Sequence, residues 1–349
     1  MMKVFPLKPS DVSFLQEEGC LYVSDFRAIS ESMDYEIPAM WKYENILTNI
    51  VLNGFVAVNE YWKNSAESFK AILVPTESDP RISVFKRLQN IPIVAPKLWV
   101  AIPHPEADAY ASQKNLSLNY SYADFLRRND KFKQKEYFGN MTPKWHRLSN
   151  DDELESLQMQ KSNNFIKRRF GSGGFTVFPI EKTINNEPFS RLLLDKSNEW
   201  FIEDRVDGKS CSIQCLKHAA SDEVTIFGFS EQTIVDDSIF IGSKLRSPND
   251  MESLENQFFE LIRRIHPVLE RYEGFFGIDF VLMDDNTVSA SEINVRLTAA
   301  TVPTLMLNAL GKSSAIYLED VSLNEVSDGD IKLAIDEKAK AADILRIEK

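Results

Sequence analysis

Cysteine is scarce: the chain has three in 349 residues. An odd and small number argues against a disulfide framework and for a reducing compartment, with cytoplasm as the expected location. Long apolar runs are missing, and none reaches the length needed to span a bilayer. The opening Met1-Met2-Lys3-Val4-Phe5-Pro6-Leu7-Lys8-Pro9 has no signal-peptide apolar core and is interrupted early by proline. A basic excess is also missing, since the net charge is −12, which argues against a dedicated nucleic-acid binder and against membrane partners. Over roughly the first 125 residues there is neither a Walker pattern nor a dinucleotide fingerprint. No serine or cysteine sits in a convincing catalytic triad. Cys211, Cys215 and His218 have a loosely ligand-like spacing, but Cys211, Ile213 and Cys215 alternate as one face of a strand. Core cysteines, not zinc ligands, are the better reading.

What is present is an ordinary globular composition, 43% apolar and 26% charged, with room for two or three domains. The N-terminal third alternates strand-like runs (Leu21–Val23, Phe55–Val58, Ala71–Val74, Pro92–Val94, Leu98–Ile102) with amphipathic stretches. That alternation predicts an α/β architecture. The charged stretch around Arg127–Lys135 places a domain boundary close to Asp130. A helix is expected over Ser149–Gln160, capped by Ser149 or Asn150. Asn164–Lys167 begins a strand, then comes Arg168-Arg169-Phe170-Gly171-Ser172-Gly173-Gly174, then a β-type run Phe175–Ile180. A glycine tip between two strands exposes backbone N–H groups that suit phosphate oxygens, with Lys167, Arg168 and Arg169 at its root; an ordinary solvated turn has the same composition.

Further on, Trp200–Asp204 begins as an apolar strand and ends in the Asp207-Gly208 turn; Cys211–Leu216 and Val224–Phe229 continue as strands. Asn249 and Glu252 form a capping box for a helix to about Arg271, whose apolar stripe marks a core face. Pro303–Leu310 is a further helix. The tail from Glu319, acidic and then lysine-rich, is expected to be partly mobile.

The most informative segment runs from Gly277 to Arg296. Two apolar runs flank Asp284, Asp285 and Asn286, a hairpin signal. Asp279 then lies near the start of one strand, with Glu292 and Asn294 at the end of its partner. Residues two apart share a face, so three oxygen-bearing side chains converge at one end of a sheet. Hard oxygen ligands suit Mg2+, particularly with phosphate completing the shell. Arg296 continues the alternation and places a cation beside them. Acids at hairpin ends are commonly just solvated, but Glu292 lies between Ala290 and Ile293 in a segment that otherwise reads as buried, where an unpaired carboxylate is costly.

The parts of a nucleotide site occur in order: Lys131, Lys167 with Gly171–Gly174, Phe201–Asp204, and Asp279 followed thirteen residues later by Glu292-Ile293-Asn294-Val295-Arg296. In this the chain resembles the ATP-grasp superfamily of carboxylate–amine ligases over about residues 130–310. The N-terminal third resembles the preATP-grasp domain of its amino-acid and peptide ligases. Phe227–Gln232 followed by Ile241–Arg246 looks like the same subgroup.

The resemblance implies an α/β (α+β) ATP-grasp fold divided into a preATP-grasp domain (1–128), a central lid subdomain (129–198), a C-terminal subdomain with the metal site (199–312) and an extension (313–349). It implies ATP with Mg2+ (Mn2+ as substitute), Lys131 and Lys167 on phosphate, and the Gly171, Ser172, Gly173, Gly174 loop folding over it. Glu203 would lie near the adenine amino group, with Phe201, Ile202, Asp204 and Arg205 completing the base site. Asp279, Glu292 and Asn294 match the metal ligands, Arg296 the cation on the transferred phosphoryl group, and Gly208 the hinge glycine. Two departures stand out. Ser210 replaces the glutamate many members use for the ribose, with Asp207 as a substitute, and Gln214 replaces an acid on the same strand. Lys244 and Arg246 are further candidates, with Arg296, for gripping a substrate carboxylate; a solvated basic loop reads the same way.

The implied activity is formation of an acyl phosphate from ATP and a carboxylate, then attack by an amine, with an amino acid or small peptide as substrate. The alternatives are acyl transfer to a carrier-protein thiol or another acceptor, and a nucleotide-binding regulatory module without turnover. Small molecules are the expected partners, with no nucleic acid and no membrane; many relatives are dimers, so a homodimer is one assembly the resemblance allows.

Overall fold

The computed structural model describes residues 2–7, 11–12, 20–24, 55–59, 82–85, 96–148, 156, 162–172, 174, 176–183, 199–218, 223–336 and 340–348. In the N-terminal third, β2 (Cys20–Ser24), β3 (Phe55–Asn59), β4 (Ile82–Phe85), β5 (Lys97–Val100) and β6 (Ser117–Leu118) form a parallel sheet ordered β4-β3-β2-β5-β6. Parallel pairing requires crossovers, which is what the alternating pattern anticipates. Leu21, Val23, Leu98 and Val100 pack against Ala107, Tyr110 and Ala111 of α1 (Pro105–Lys114). The expected strands Ala71–Val74 and Pro92–Val94, and the helix Ser149–Gln160 apart from Ser156, lie outside the described residues.

Two short helices, α2 (Tyr122–Arg128) and α3 (Lys131–Phe138), meet at the boundary expected near Asp130. Asp130 caps α3, its Oδ1 accepting the Phe132 N–H at 3.1 Å. Beyond them β7 (Trp145–Arg147), β8 (Asn164–Arg168), β9 (Val177–Pro179) and β10 (Trp200–Asp204) make a four-stranded antiparallel sheet ordered β7-β10-β8-β9. Its small core is Ile166, Ile180, Trp200 and Ile202.

The largest element is a nine-stranded sheet. It contains β1 (Met2–Val4), β11 (Lys209–Lys217), β12 (Val224–Val235), β13 (Ile239–Arg246), β14 (Gly274–Leu282), β15 (Val288–Asn294), β16 (Ser314–Ser322), β17 (Ile331–Asp336) and β18 (Ala341–Ile347). The order is β15-β14-β11-β12-β13-β16-β18-β17, and β1 pairs in parallel with the first residues of β12. One face is covered by α4 (Glu255–Leu269), which buries Phe258, Leu261, Ile265 and Leu269. Phe258 meets Phe280 edge-on, ring centroids 5.3 Å apart. A shorter helix, α5 (Thr301–Ala309), is buried along most of its length.

Two expectations are corrected here. Asn249 and Glu252 do not cap α4. Pro248 occupies the first helical position, so Ser247 is the cap, accepting the Asn249 N–H at 3.3 Å. A 3-10 stretch, Pro248–Leu254, leads into the α-helix at Glu255. The charged tail is likewise not a loose extension: β16, β17 and β18 continue the main sheet, with Leu345 and Ile344 fully buried on β18. On β16 buried Ala315 and Tyr317 alternate with half-buried neighbours, and β18 buries five residues in a row, a pattern that bulk charge conceals.

Candidate active site

Between the four-stranded and nine-stranded sheets lies a cleft of about 630 Å3. Its floor is the β14–β15 hairpin and the strands beside it. Gly277 pairs with Asn294, Ile278 with Ile293 and Asp279 with Glu292, as the hairpin pattern predicts. A β-bulge at Ser291 then shifts the register, so that Phe280 faces Ala290. Without that extra residue Asp279 would face Ser291, and the two carboxylates would not oppose one another.

Asp279, Glu292, Asn294 and Arg296 all line the cleft. Asn294 Nδ2 donates to Asp279 Oδ2 at 2.8 Å, which leaves the amide oxygen of Asn294 for a cation. Lys131 Nζ lies 3.3 Å from Glu292 Oε2. Burial, and then the charge of Glu292, push the Asp279 carboxyl up to about 6. Two carboxylates and an amide oxygen, one of the acids held at this electrostatic cost, form a donor set that fits Mg2+. Among the described residues no group of three or more His, Cys, Asp or Glu is arranged to hold a metal. The set here is smaller and would rely on phosphate and water to complete the shell.

Both candidate lysines reach the cleft. Lys131 begins α3 and is 4% exposed. Lys167, on β8, pairs with Glu203 and lies 3.4 Å from Ser291 Oγ. Glu203 was expected beside adenine, but its carboxylate is buried behind Lys167, held between Lys167 and Lys135. Burial alone would raise Glu203; the two ammonium groups hold it below its ordinary value. Burial also brings Lys135 down to about 8, and its Nζ donates to Thr142 Oγ1 at 2.8 Å. Lys135 escaped the sequence reading although it lies one helical turn after Lys131.

Other expected residues divide by strand alternation. Phe201, Arg205 and Val206 line the cleft; Ile202 points into the small core, and Asp204 and Asp207 are exposed away from it. Ser210 lines it and donates to Gln232 Oε1 at 2.6 Å, while Gln232 Nε2 lies 3.4 Å from Asp279 Oδ1. Gln232 is thus the hydrogen-bond partner of Ser210, the position that replaces an acid, and Asp207 is not among the residues that line the cleft. Gln214 is fully buried, accepting from Thr298 Oγ1 at 2.7 Å and Thr301 Oγ1 at 3.0 Å. A neutral amide satisfies that site without an unpaired charge.

The glycine loop folds against the cleft. Ser172 accepts from Arg296 Nη2 at 2.7 Å, and Gly174 lines the same wall. At φ +80 Gly174 would place any Cβ 1.7 Å from the backbone oxygen of Ser238 in the β12–β13 turn. The same turn holds the lid sheet through Asp237, which pairs with Lys182 and with Arg205 (3.3 Å). Gly171 does not reach the cleft, and Gly173 lies outside the described residues. Of the three basic residues at the loop root only Lys167 faces inward. Arg168 is buried on the other face, and Arg169 grips Asp130 with two bonds of 3.0 and 2.6 Å.

Lys244 and Arg246 do not join the site. Ser243 lines the cleft, so its neighbours on β13 point to the opposite face. Lys244 pairs there with Glu348 at 3.0 Å and Arg246 with Glu231 at 3.6 Å. Ser243 was missed; its buried Oγ has no hydrogen-bond partner among the described residues.

Comparison with known proteins bears on this geometry. Residues 128–300 match the family model described as the ATP-grasp domain. Carboxyaminoimidazole ribonucleotide synthase from Aspergillus clavatus, complexed with ATP, superposes with a TM-score of 0.61 at 14% identity, covering 95% of this chain and 94% of that one. The N5-carboxyaminoimidazole synthetase of Staphylococcus aureus, complexed with ADP, gives 0.58 at 11% identity over 96% and 94%. The biotin carboxylase domain dimer of Hydrogenobacter thermophilus 2-oxoglutarate carboxylase, with MgADP, ADP and bicarbonate, gives 0.63 at 11% over 95% and 87%. No curated protein matches the chain. At these identities the likeness to solved structures is one of fold.

Proposed function

We propose, from the premise that this chain belongs to the ATP-grasp superfamily through residues 128–300, that it is an ATP-dependent carboxylate–amine ligase. The observation that carries this reading is the meeting of Lys131, Lys167, Arg296 and the Asp279–Glu292–Asn294 donor set around one cleft, under a glycine loop. Adenine would lie against Phe165, Phe201 and Val206, and the triphosphate would run toward Lys131, Lys167 and Arg296. Mg2+, held by Asp279, Glu292 and Asn294, would supply charge neutralisation on phosphate oxygens.

The chemistry follows from what a carboxylate lacks. Its leaving group would be oxide, so it does not acylate an amine unaided. Transfer of the γ-phosphoryl group to a carboxylate oxygen breaks the β–γ bridge and releases ADP. The product is an acyl phosphate, whose leaving group is phosphate. Attack by a neutral amine on the acyl carbon forms the amide and expels phosphate, with loss of the amine proton. Lys131, Lys167 and Arg296 position the phosphoryl group and balance its charge, which is most of what phosphoryl transfer requires. The loop at Ser172 and Gly174 would exclude water that would otherwise hydrolyse the acyl phosphate.

The finer reading, an amino acid or small peptide as substrate, rests on the sequence resemblance. Bicarbonate, present with the biotin carboxylase neighbour, belongs in the same panel of acids. The test is ADP release with Mg2+ATP across paired carboxylates and amines, with mass detection of product. Release that requires both partners supports the ligase. Nucleotide binding without turnover across the panel would instead favour a regulatory module.

A further inference from the structure

The strand that carries Glu292 and Asn294 is the last strand of its sheet. Among the described residues its outward backbone groups therefore have no neighbouring strand to pair with, and buried unpaired groups of that kind are costly. Side chains from the segment before and within α3 take the place of that strand. Gln134, 1% exposed, accepts the Ile293 N–H at 2.9 Å and donates to the Ile293 carbonyl at 2.7 Å. Its Nε2 also donates to the Arg128 carbonyl at 2.9 Å. Two residues along, Asn129 Oδ1 accepts the Val295 N–H at 3.1 Å and the Tyr120 hydroxyl donates to the Val295 carbonyl at 3.2 Å.

These contacts fall on Ile293 and Val295, so Glu292, Asn294 and Arg296 are left facing the cleft. Gln134 lies one helical turn after Lys131, and Lys131 Nζ sits 3.3 Å from Glu292 Oε2. One rigid turn of α3 thus presents both a cleft lysine and the amide that fixes the opposing strand. We propose that Gln134 is a positioning residue that sets the placement of the Glu292–Asn294 pair relative to Lys131, with Asn129 and Tyr120 holding the same strand edge. It touches neither nucleotide nor metal and acts through Ile293. The inference rests on the nucleotide and Mg2+ reading above.

Binding of a non-hydrolysable ATP analogue, by calorimetry with EDTA and then with saturating Mg2+, tests it without turnover. In the wild-type protein Mg2+ should tighten binding. Gln134→Met keeps the side-chain size and removes both bonds to Ile293. It should bind the Mg2+-free analogue within about twofold of wild type, because Lys131 stays on its helix, and lose about tenfold or more of the Mg2+ enhancement. An unchanged enhancement in Gln134→Met, even with a lowered melting temperature, would make Gln134 merely structural and overturn the proposal. If that variant does not fold, Asn129→Ala, which removes one contact at Val295, should lose the enhancement severalfold; wild-type enhancement there overturns it equally. A wild-type protein that binds the analogue with no response to Mg2+ would sink the metal assignment itself, a result separate from either variant's.

Discussion

Asp279 shows how one side chain sets conditions for the whole cleft. Its folded carboxyl titrates near 6 and its ordinary value is 3.8, so the folded state holds the proton more tightly than the unfolded chain. The stability this lends is complete below about pH 3.8 and is lost as pH rises to about 6; above that, the buried charge costs about 3 kcal/mol at 1.36 kcal/mol per unit. Asp279→Asn should therefore stabilise the metal-free protein near neutral pH by up to that amount and flatten the window between pH 4 and 6, measured by urea unfolding. Glu292→Ala should abolish Mg2+-dependent turnover while leaving the circular dichroism spectrum unchanged; retained activity would remove it from the metal set. Gly174→Ala should weaken nucleotide affinity about tenfold by forcing the loop off Ser238, a change read in the dissociation constant. That Glu292, Asn294 and Arg296 share one face was legible from spacing alone, because a two-residue period fixes side; that Asp279 joins them depends on the register of the hairpin. The bulge at Ser291 was not legible, since nothing local in the sequence distinguishes an extra residue from a register shift.

At the scale of elements, the four-stranded sheet is tied to its surroundings by charge. Glu203 on β10 lies between Lys135 of α3 and Lys167 of β8, joining three elements at one buried carboxylate. Removing it leaves two ammonium groups, one of them fully buried, without their counter-ion. Glu203→Ala should cost about 3–5 kcal/mol of stability, measured by urea unfolding; a loss below about 1 kcal/mol would show that water or a rearranged acid replaces it. The resemblance placed Glu203 near the adenine amino group and did not reveal Lys135, because the pairing joins residues far apart in the chain. Lys244 and Arg246 failed for a simpler reason. Their strand alternates, and its facing is set by the neighbours β12 and β16, not by its own composition. The α4 cap was misread because Asn249 and Glu252 fit the spacing rule, while Pro248 opens a 3-10 stretch capped by Ser247 and α4 itself begins at Glu255 without a side-chain cap.

For the whole molecule, the cleft is lined from both the four-stranded and the nine-stranded sheet, so a ligand bridging them should tie one to the other. A non-hydrolysable ATP analogue with Mg2+, at a hundred times its dissociation constant, should add about 2.7 kcal/mol and raise the melting temperature by several degrees. The α/β character of the N-terminal third was legible from its alternating pattern, and Leu21–Val23, Phe55–Val58 and Leu98–Ile102 fall on β2, β3 and β5; β4 and β6 were not anticipated. The reach of the main sheet into the tail was not, because β16, β17 and β18 draw their burial from partners rather than from apolar runs.

The pairing of Met2–Val4 with Val224–Ile226 has a consequence for how the molecule comes into being. The sheet that floors the cleft takes strands from the first described residues and from the last, with β18 lying between β16 and β17. During synthesis β1 must wait for β12, about 220 residues later, before its place in the sheet exists, and the cleft wall at β16 comes about 90 residues later again. Early-made segments thus spend that interval with unpaired edges, the state in which chains associate wrongly. A ligand of the cleft could not shorten that interval before the lining residues of β14, β15 and β16 are made.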